Sequence, residues 1–171
     1  EGLLFKYLHF YGTYDYLLQG RSAYRYETRI IRNGQGIRSY RDAQGFRKGE
    51  TKLAVALIDA YIYHYGWVKS PQQMKRKRDN VSRFWVEKDE ELQKILASGD
   101  EYDFDDFEAI EKFSGTHPAI MQKRIEQQNW KLELDTSRKN FSLKDRILFG
   151  IEKITGKRLF SFSNHRMVAR Y

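Results

Sequence analysis

The chain has no cysteine among its 171 residues, which excludes disulfides and cysteine-based zinc sites and agrees with a reducing compartment. No stretch approaches the roughly 20 apolar residues of a membrane span, and no signal peptide is visible. Only two prolines occur, Pro71 and Pro118, both where a helix can start. GxSxG and Walker A patterns are absent, Gly34-Gln35-Gly36 is not GxGxxG, and the four histidines show no HExxH spacing, so the common nucleophile, P-loop and zincin signatures are missing. Asp103-Phe104-Asp105 has DxD spacing, but its acidic surroundings read as a solvated loop. No internal repeat is apparent.

Aromatic side chains are plentiful: Tyr 12, Phe 11 and Trp 3. They supply enough apolar volume for one core, or one core with an appendage. The net charge of +8 is uneven: residues 1–70 carry +5, 71–88 carry +4, 89–114 carry −8 and 115–171 carry +7. Such blocks suit nucleic acid, anionic lipid or nucleotide phosphates without choosing among them. Residue 1 is Glu, which suggests a chain processed or cut from something longer.

Along the chain, Gly2–Tyr11 reads as a strand and Gly12–Gly20 as a loop. In Tyr24–Arg32, Tyr26, Thr28 and Ile30 share one face while Arg25, Glu27 and Arg29 share the other. The turn Asn33–Gly36 predicts Ile37–Tyr40 as its hairpin partner. Arg41–Glu50 reads as a polar loop and Leu57–Tyr65 as a strand ending near His64. After Pro71 the period becomes helical: Gln72–Lys88 with an apolar stripe of Met74, Val81, Phe84 and Trp85, then Glu90–Ala97, a short candidate at Phe107–Phe113, and Ala119–Asn129 after Pro118. Ser142 and Asp145 form a capping pair for Leu143–Ile154, closed by Gly156. Arg158–Phe162 reads as a last strand. Strands first and helices later give an α/β or α+β class, with a sheet-rich part over 1–70 and a mainly helical part over 71–171 packed on it.

The densest chemistry lies in Asp59–Arg78. His64 is followed by Gly66, Trp67 and Lys69, then by Pro71 and the cations Lys75, Arg76, Lys77 and Arg78. Histidine is a common metal ligand, and a helix N-terminus attracts anions, so the junction suits a metal-neutralised phosphate. The plainer reading is a core histidine followed by a solvated basic helix. Asp42, flanked by Arg41 and Arg47, suits a general base kept ionised by cations, or a surface ion pair. The row Tyr61, Tyr63, Tyr65 and Trp67 suits a platform for sugars or bases, or ordinary sheet packing. A basic, aromatic RNA- or polyanion-binding module is therefore a second class of function, although no RNP-like sequence appears.

The runs EGLLFKYLHFYGTYDY, YRYETRIIRN, SYRDAQGFRK, DAYIYHYGWVKSPQQM and HPAIMQKRIEQQNW resemble the C-terminal portion of bacterial family 2-like glycosyltransferases. The resemblance rests on the order Arg29-Ile30-Ile31-Arg32, Asp42, His64, basic helix. It implies a partial GT-A-like mixed sheet over 1–67, followed by a mainly helical region. It also implies transfer of a sugar from a nucleotide-sugar donor to a carbohydrate or lipid-linked acceptor. Asp42 matches the base on the acceptor hydroxyl, His64 a residue near the divalent metal (Mg or Mn) and diphosphate, and Lys69 and Arg76 cations for the leaving phosphates. The chain departs from the family in lacking the N-terminal Rossmann-like half with its acidic motif, so the expectation is an acceptor-side portion inactive by itself. A cytoplasmic location, at most peripheral at the membrane, is expected, with no specific nucleic acid partner and room for a homodimer through an exposed surface.

Overall fold

Alternating aromatic and β-branched residues extend the three clearest strand segments, and a computed structural model that describes residues 1–40 and 45–171 shows how far. β1 is Gly2–Gly12, β3 is Tyr26–Ile31 and β6 is Thr51–Val68. Short strands lie between and after them: β2 (Tyr16–Leu18), β4 (Ile37–Tyr40), β5 (Gly45–Lys48), β7 (Ile110–Lys112) and β8 (His165–Arg170). The described strands hydrogen-bond in the order β4-β5-β6-β1-β2-β7, with β3 also on β1 and β8 on β6. The β6–β8 pair is parallel and β1–β2, β1–β3, β2–β7, β4–β5 and β5–β6 are antiparallel. The class is thus α/β with a mixed sheet. Two of its strands, β7 and β8, come from the residues after Pro71, which hold all the described helices but are in large part irregular.

The helices are α1 (Pro71–Trp85), α2 (Asp89–Leu96), α3 (Gln122–Glu126) and α4 (Leu143–Thr155), with a 3-10 turn at Ala119–Met121. Local chemistry places the ends of two of them. Ser70 Oγ accepts from the Gln73 amide ahead of Pro71. Ser142 Oγ accepts from the Asp145 amide and donates to its carboxylate, and Gly156 closes α4 at φ 69°. These are the N-cap and left-handed C-cap geometries that serine and glycine favour. No described helix is long and apolar enough to cross a membrane.

Several expectations are corrected by partners distant in sequence. Ile37–Tyr40 pairs with β5, not with β3, which pairs with β1. Short strands occupy parts of the expected loops at Gly12–Gly20 and Arg41–Glu50. Phe107–Phe113 contains strand β7, because Ile110–Lys112 pairs with Tyr16–Leu18. The last strand is His165–Arg170 rather than Arg158–Phe162, since its register is set by Leu53–Leu57 of β6. On α1 only Met74 of the expected stripe is buried, while Val81, Phe84 and Trp85 are exposed.

The chain divides into two compact units, each drawing on both the early and the late sequence. The first comprises Glu1–Leu8, Gly20–His64 and Phe141–Tyr171. Leu4, Leu53, Val55 and Leu57 form its core, flanked by Tyr26, Ile31, Ile37, Phe46 and Met167. The second comprises His9–Gln19 and Tyr65–Asn140. Its core is Tyr11, Tyr16, Met74, Phe104, Phe107, Ile110 and Leu134.

Candidate functional site

In the first unit, β3 departs from simple alternation. Leu3 stands opposite Ile30 and Leu4 opposite Thr28, so Arg29 is an extra residue in the ladder. A β-bulge of this kind re-aims a side chain. The Arg29 guanidinium donates to the Tyr7 hydroxyl at 3.1 Å and to Glu27 Oε2 at 2.6 Å, and stands 5.7 Å from the Tyr7 ring centroid. Tyr7 packs against Tyr24 at 5.1 Å and against His64 at 5.4 Å. Five chemistry-bearing side chains, Tyr7, Tyr24, Glu27, Arg29 and His64, are thereby linked through one ring. Burial pushes the Glu27 carboxyl above its ordinary value, while Arg29 beside it pulls the other way. Burial likewise raises the Tyr7 phenol.

A small cavity of about 90 Å³ opens beside this group, lined by Tyr24, Glu27, Thr28, Gly45 and the Phe162–His165 segment. Gly45 is required there: a Cβ would fall 2.7 Å from Asn164 Cβ and 2.8 Å from Asn164 Cγ. The Arg47 guanidinium holds the same corner, donating to the Asn164 carbonyl at 2.6 Å and lying 4.6 Å from the Tyr40 ring centroid. Tyr40 and Gly45 pair across β4 and β5 and border residues 41–44. Asp42 itself lies outside the described residues.

His64 sits inside β6, not at its end. The alternation Tyr61, Tyr63, Tyr65, Trp67 carries the strand on to Val68, and the stop comes at Ser70 and Pro71. His64 is therefore not a strand-end residue, and what distinguishes it is its contact with Tyr7. Among the described residues no group of three or more His, Asp or Glu converges to hold a metal ion.

Lys69 and Arg76 belong to the second unit. Lys69 is half-buried before α1 and Arg76 is exposed on it. The basic helix is sorted by its neighbours rather than uniformly solvated. Lys75 is buried, with its ammonium 2.7 Å from both Asp79 oxygens and 3.2 Å from the Leu96 carbonyl. Lys77 donates to the Gly66 carbonyl at 2.7 Å and stands 5.1 Å from the Trp67 ring centroid. Burial, and then the Lys69 charge, push the Lys77 ammonium below its ordinary value.

Lys77 opens onto a cleft of about 580 Å³ whose lining includes Trp67, Met74, Arg78, Tyr102, Asp103 and Asp106. Arg78 stands over Tyr102 at 5.8 Å, and Trp67 and Tyr102 are 6.1 Å apart. Two cations and two carboxylates on an aromatic and methionine wall suit a ligand that both donates and accepts hydrogen bonds. The expected aromatic row does not act as one platform. Tyr61 is half-exposed beside Lys6, whereas Tyr65 stacks on Phe10 at 4.7 Å and its hydroxyl meets His117 Nδ1 at 2.9 Å. Glu27 and the Trp67–Tyr102 cleft were not singled out by spacing. The one available signal was a carboxylate placed between two arginines in a strand.

Comparisons with protein-family models, with curated proteins and with solved structures give no match.

Proposed function

We propose that the chain is the acceptor-side portion of a GT-A-type glycosyltransferase that uses a nucleotide-sugar donor. The observation that carries this reading is the cavity in the first unit. It puts Glu27 and Tyr24, neighbours of Arg29 and His64, on the same wall as Gly45, the residue that closes the Asp42 segment. Arg29-Ile30-Ile31-Arg32, His64 and the described residues of SYRDAQGFRK belong to this one unit, which supports the reading. In the proposed reaction the Asp42 carboxylate takes the proton from the acceptor hydroxyl. That oxygen bonds the anomeric carbon, and the bond to the nucleoside diphosphate breaks. Arg29, fixed by Tyr7 and Glu27, holds charge and geometry on the wall behind. Lys69 and Arg76 are assigned to the leaving phosphates, which favour cations as charge develops.

His64 is assigned one ligand position on a divalent cation, which when bound offsets diphosphate charge. The cleft of the second unit, taken by itself, suits a saccharide. Its two carboxylates disfavour a phosphate, while Trp67 and Tyr102 offer faces to sugar C–H groups. A nucleotide-sugar donor sets this chemistry in the cytoplasm.

The test is turnover by the full gene-encoded protein, read as nucleoside diphosphate released from a panel of nucleotide sugars. Asp42→Asn keeps the side-chain shape and removes the base, so turnover falls by about 10²–10⁴-fold while donor binding stays nearly intact. Undiminished turnover by that variant removes Asp42 from the reaction. Tight, sequence-selective RNA binding at physiological salt overturns the reading in favour of a nucleic-acid module.

A further inference from the structure

Helix α4 commits its two acidic side chains within the first unit while three of its aliphatic side chains face solvent. On the inner face Glu152, with a side chain 1% exposed, receives Arg21, Arg25 and Arg158 at 3.2, 2.5 and 3.0 Å. The other acid of the helix, Asp145, is held by Ser142 and lies 3.5 Å from Arg21. Both carboxylates of the helix are therefore committed within the first unit. On the outer face Leu143, Ile147 and Ile154 are 77%, 58% and 87% exposed. With Gly150 they recur at i, i+4, i+7 and i+11, a single stripe down the helix. At about 100° per residue this stripe points away from Leu148 and Glu152, the two buried positions. Lys144 flanks it on one side, and Arg146 and Lys153 on the other; all three are exposed.

Single exposed aliphatic residues are ordinary, but an aligned set facing water is not. A second feature follows directly in sequence. Phe160 adopts φ 54° and leaves its ring 86% exposed. The left-handed region is disfavoured for an aromatic residue, and packing within the unit does not compensate, because the ring is in solvent. Lys157, also exposed, stands between this ring and the helix.

We propose that α4 and the turn after it form a membrane-docking surface that lies in the headgroup layer of an anionic bilayer. An outward apolar stripe bordered only by cations is the pattern of an interfacial helix. Leu143, Ile147, Ile154 and Phe160 enter the acyl boundary, and Lys144, Arg146, Lys153 and Lys157 meet lipid phosphates. A second copy of the chain fits this face poorly, since a self-paired stripe brings like charges together. The inference stands on the first unit alone and does not depend on the proposed sugar transfer.

The test is co-sedimentation of the full chain with vesicles of phosphatidylcholine plus phosphatidylglycerol, compared with phosphatidylcholine alone. The chain partitions onto the anionic vesicles and is released by high salt. The double substitution Ile147→Ser, Ile154→Ser lies on exposed positions and keeps the far-UV dichroism. It weakens partitioning by about tenfold or more. Lys144→Gln with Lys153→Gln weakens binding to anionic vesicles as well. Absence of sedimentation with anionic vesicles overturns the proposal, as does undiminished binding by the Ile147→Ser, Ile154→Ser protein. A concentration-dependent dimer that this double substitution abolishes also overturns it, by showing that a second copy covers the stripe. Transfer to a water-soluble acceptor is a separate readout, unaffected by the α4 substitutions, so the two proposals fail independently.

Discussion

In the first unit the buried volume around Leu4, Leu53, Val55 and Leu57 is aliphatic, and the same unit buries the Glu152 carboxylate among three guanidiniums. In the second unit the buried volume is largely ring carbon. Tyr11 meets Phe104 edge-on at 5.2 Å, and Phe10 meets Phe113 edge-on at 5.0 Å. Burial pushes the Tyr11 phenol far above its ordinary value, so it stays protonated and donates to the Asp106 carbonyl at 3.3 Å. The two solutions follow from the strands available. The first unit has the longer ladders, and branched side chains interlock across paired strands. The two strands lying wholly in the second unit, β2 and β7, have three residues each. Ring packing supplies the cohesion that so short a ladder cannot.

The largest expected loss of stability falls at Glu152. Replacing it with Ala leaves Arg158 nearly buried without its carboxylate and Arg21 with Asp145 alone, and such a loss costs about 3–5 kcal/mol. Urea unfolding of the variant reads this as a lower midpoint, and hydrogen exchange shows the added opening in α4 and the Arg21–Arg25 segment. A change below about 0.5 kcal/mol would mean that the charged side of the first unit is solvated rather than structural.

The corresponding cut in the second unit is Met74→Ala. Met74 is 1% exposed in the aromatic core, and its truncation costs about 2–5 kcal/mol according to how far the rings collapse. Exchange then rises in β2, β7 and α1. If it rises equally in the Leu53–Leu57 segment, the two cores do not act as separate cohesive units.

The smallest effect sharpens the contrast through pH. His117 is packed among Phe10, Tyr14, Tyr65 and Phe113, and burial holds its imidazole below its ordinary value although Asp15 pulls the other way. Its folded pKa is therefore below the unfolded value of about 6.5, and between the two the unfolded chain binds more protons. Stability is full above that unfolded value and falls as pH drops through the folded pKa. His165 in the first unit, also lowered by burial, gives a slope of the same sign. The informative quantity is therefore the difference between the native chain and His117→Asn in unfolding midpoint from neutral to mildly acidic pH. Parallel curves would assign the slope to His165.

Much of the fold was legible where a local rule suffices. Ser70–Pro71 and Ser142–Asp145–Gly156 set the starts of α1 and α4 and the end of α4 through caps within a few residues. Alternation marked β3 and β6, because a half-buried strand imposes a period of two on its own sequence, and an unbroken aromatic and apolar run marked β1. The candidate site was legible only in part. Arg29, Asp42, His64 and the basic helix stood out as residue types, but Glu27 did not. The pairing that makes it interesting, through Tyr7 and a bulge at Arg29, depends on a strand more than twenty residues away.

By itself, then, the sequence determined the caps, the long strands, the change of period at Pro71 and the uneven charge. Each of these depends on side chains adjacent in the chain or one helical turn apart. The tertiary structure alone decided that β3 pairs with β1, that Ile110–Lys112 is strand, that Lys75 is buried while Arg76 is exposed, and that α4 turns its acids inward. Those outcomes depend on partners far off in sequence. Arg21 reaches Glu152 across 131 residues, and a carboxylate is stable in the interior only where such cations arrive to meet it.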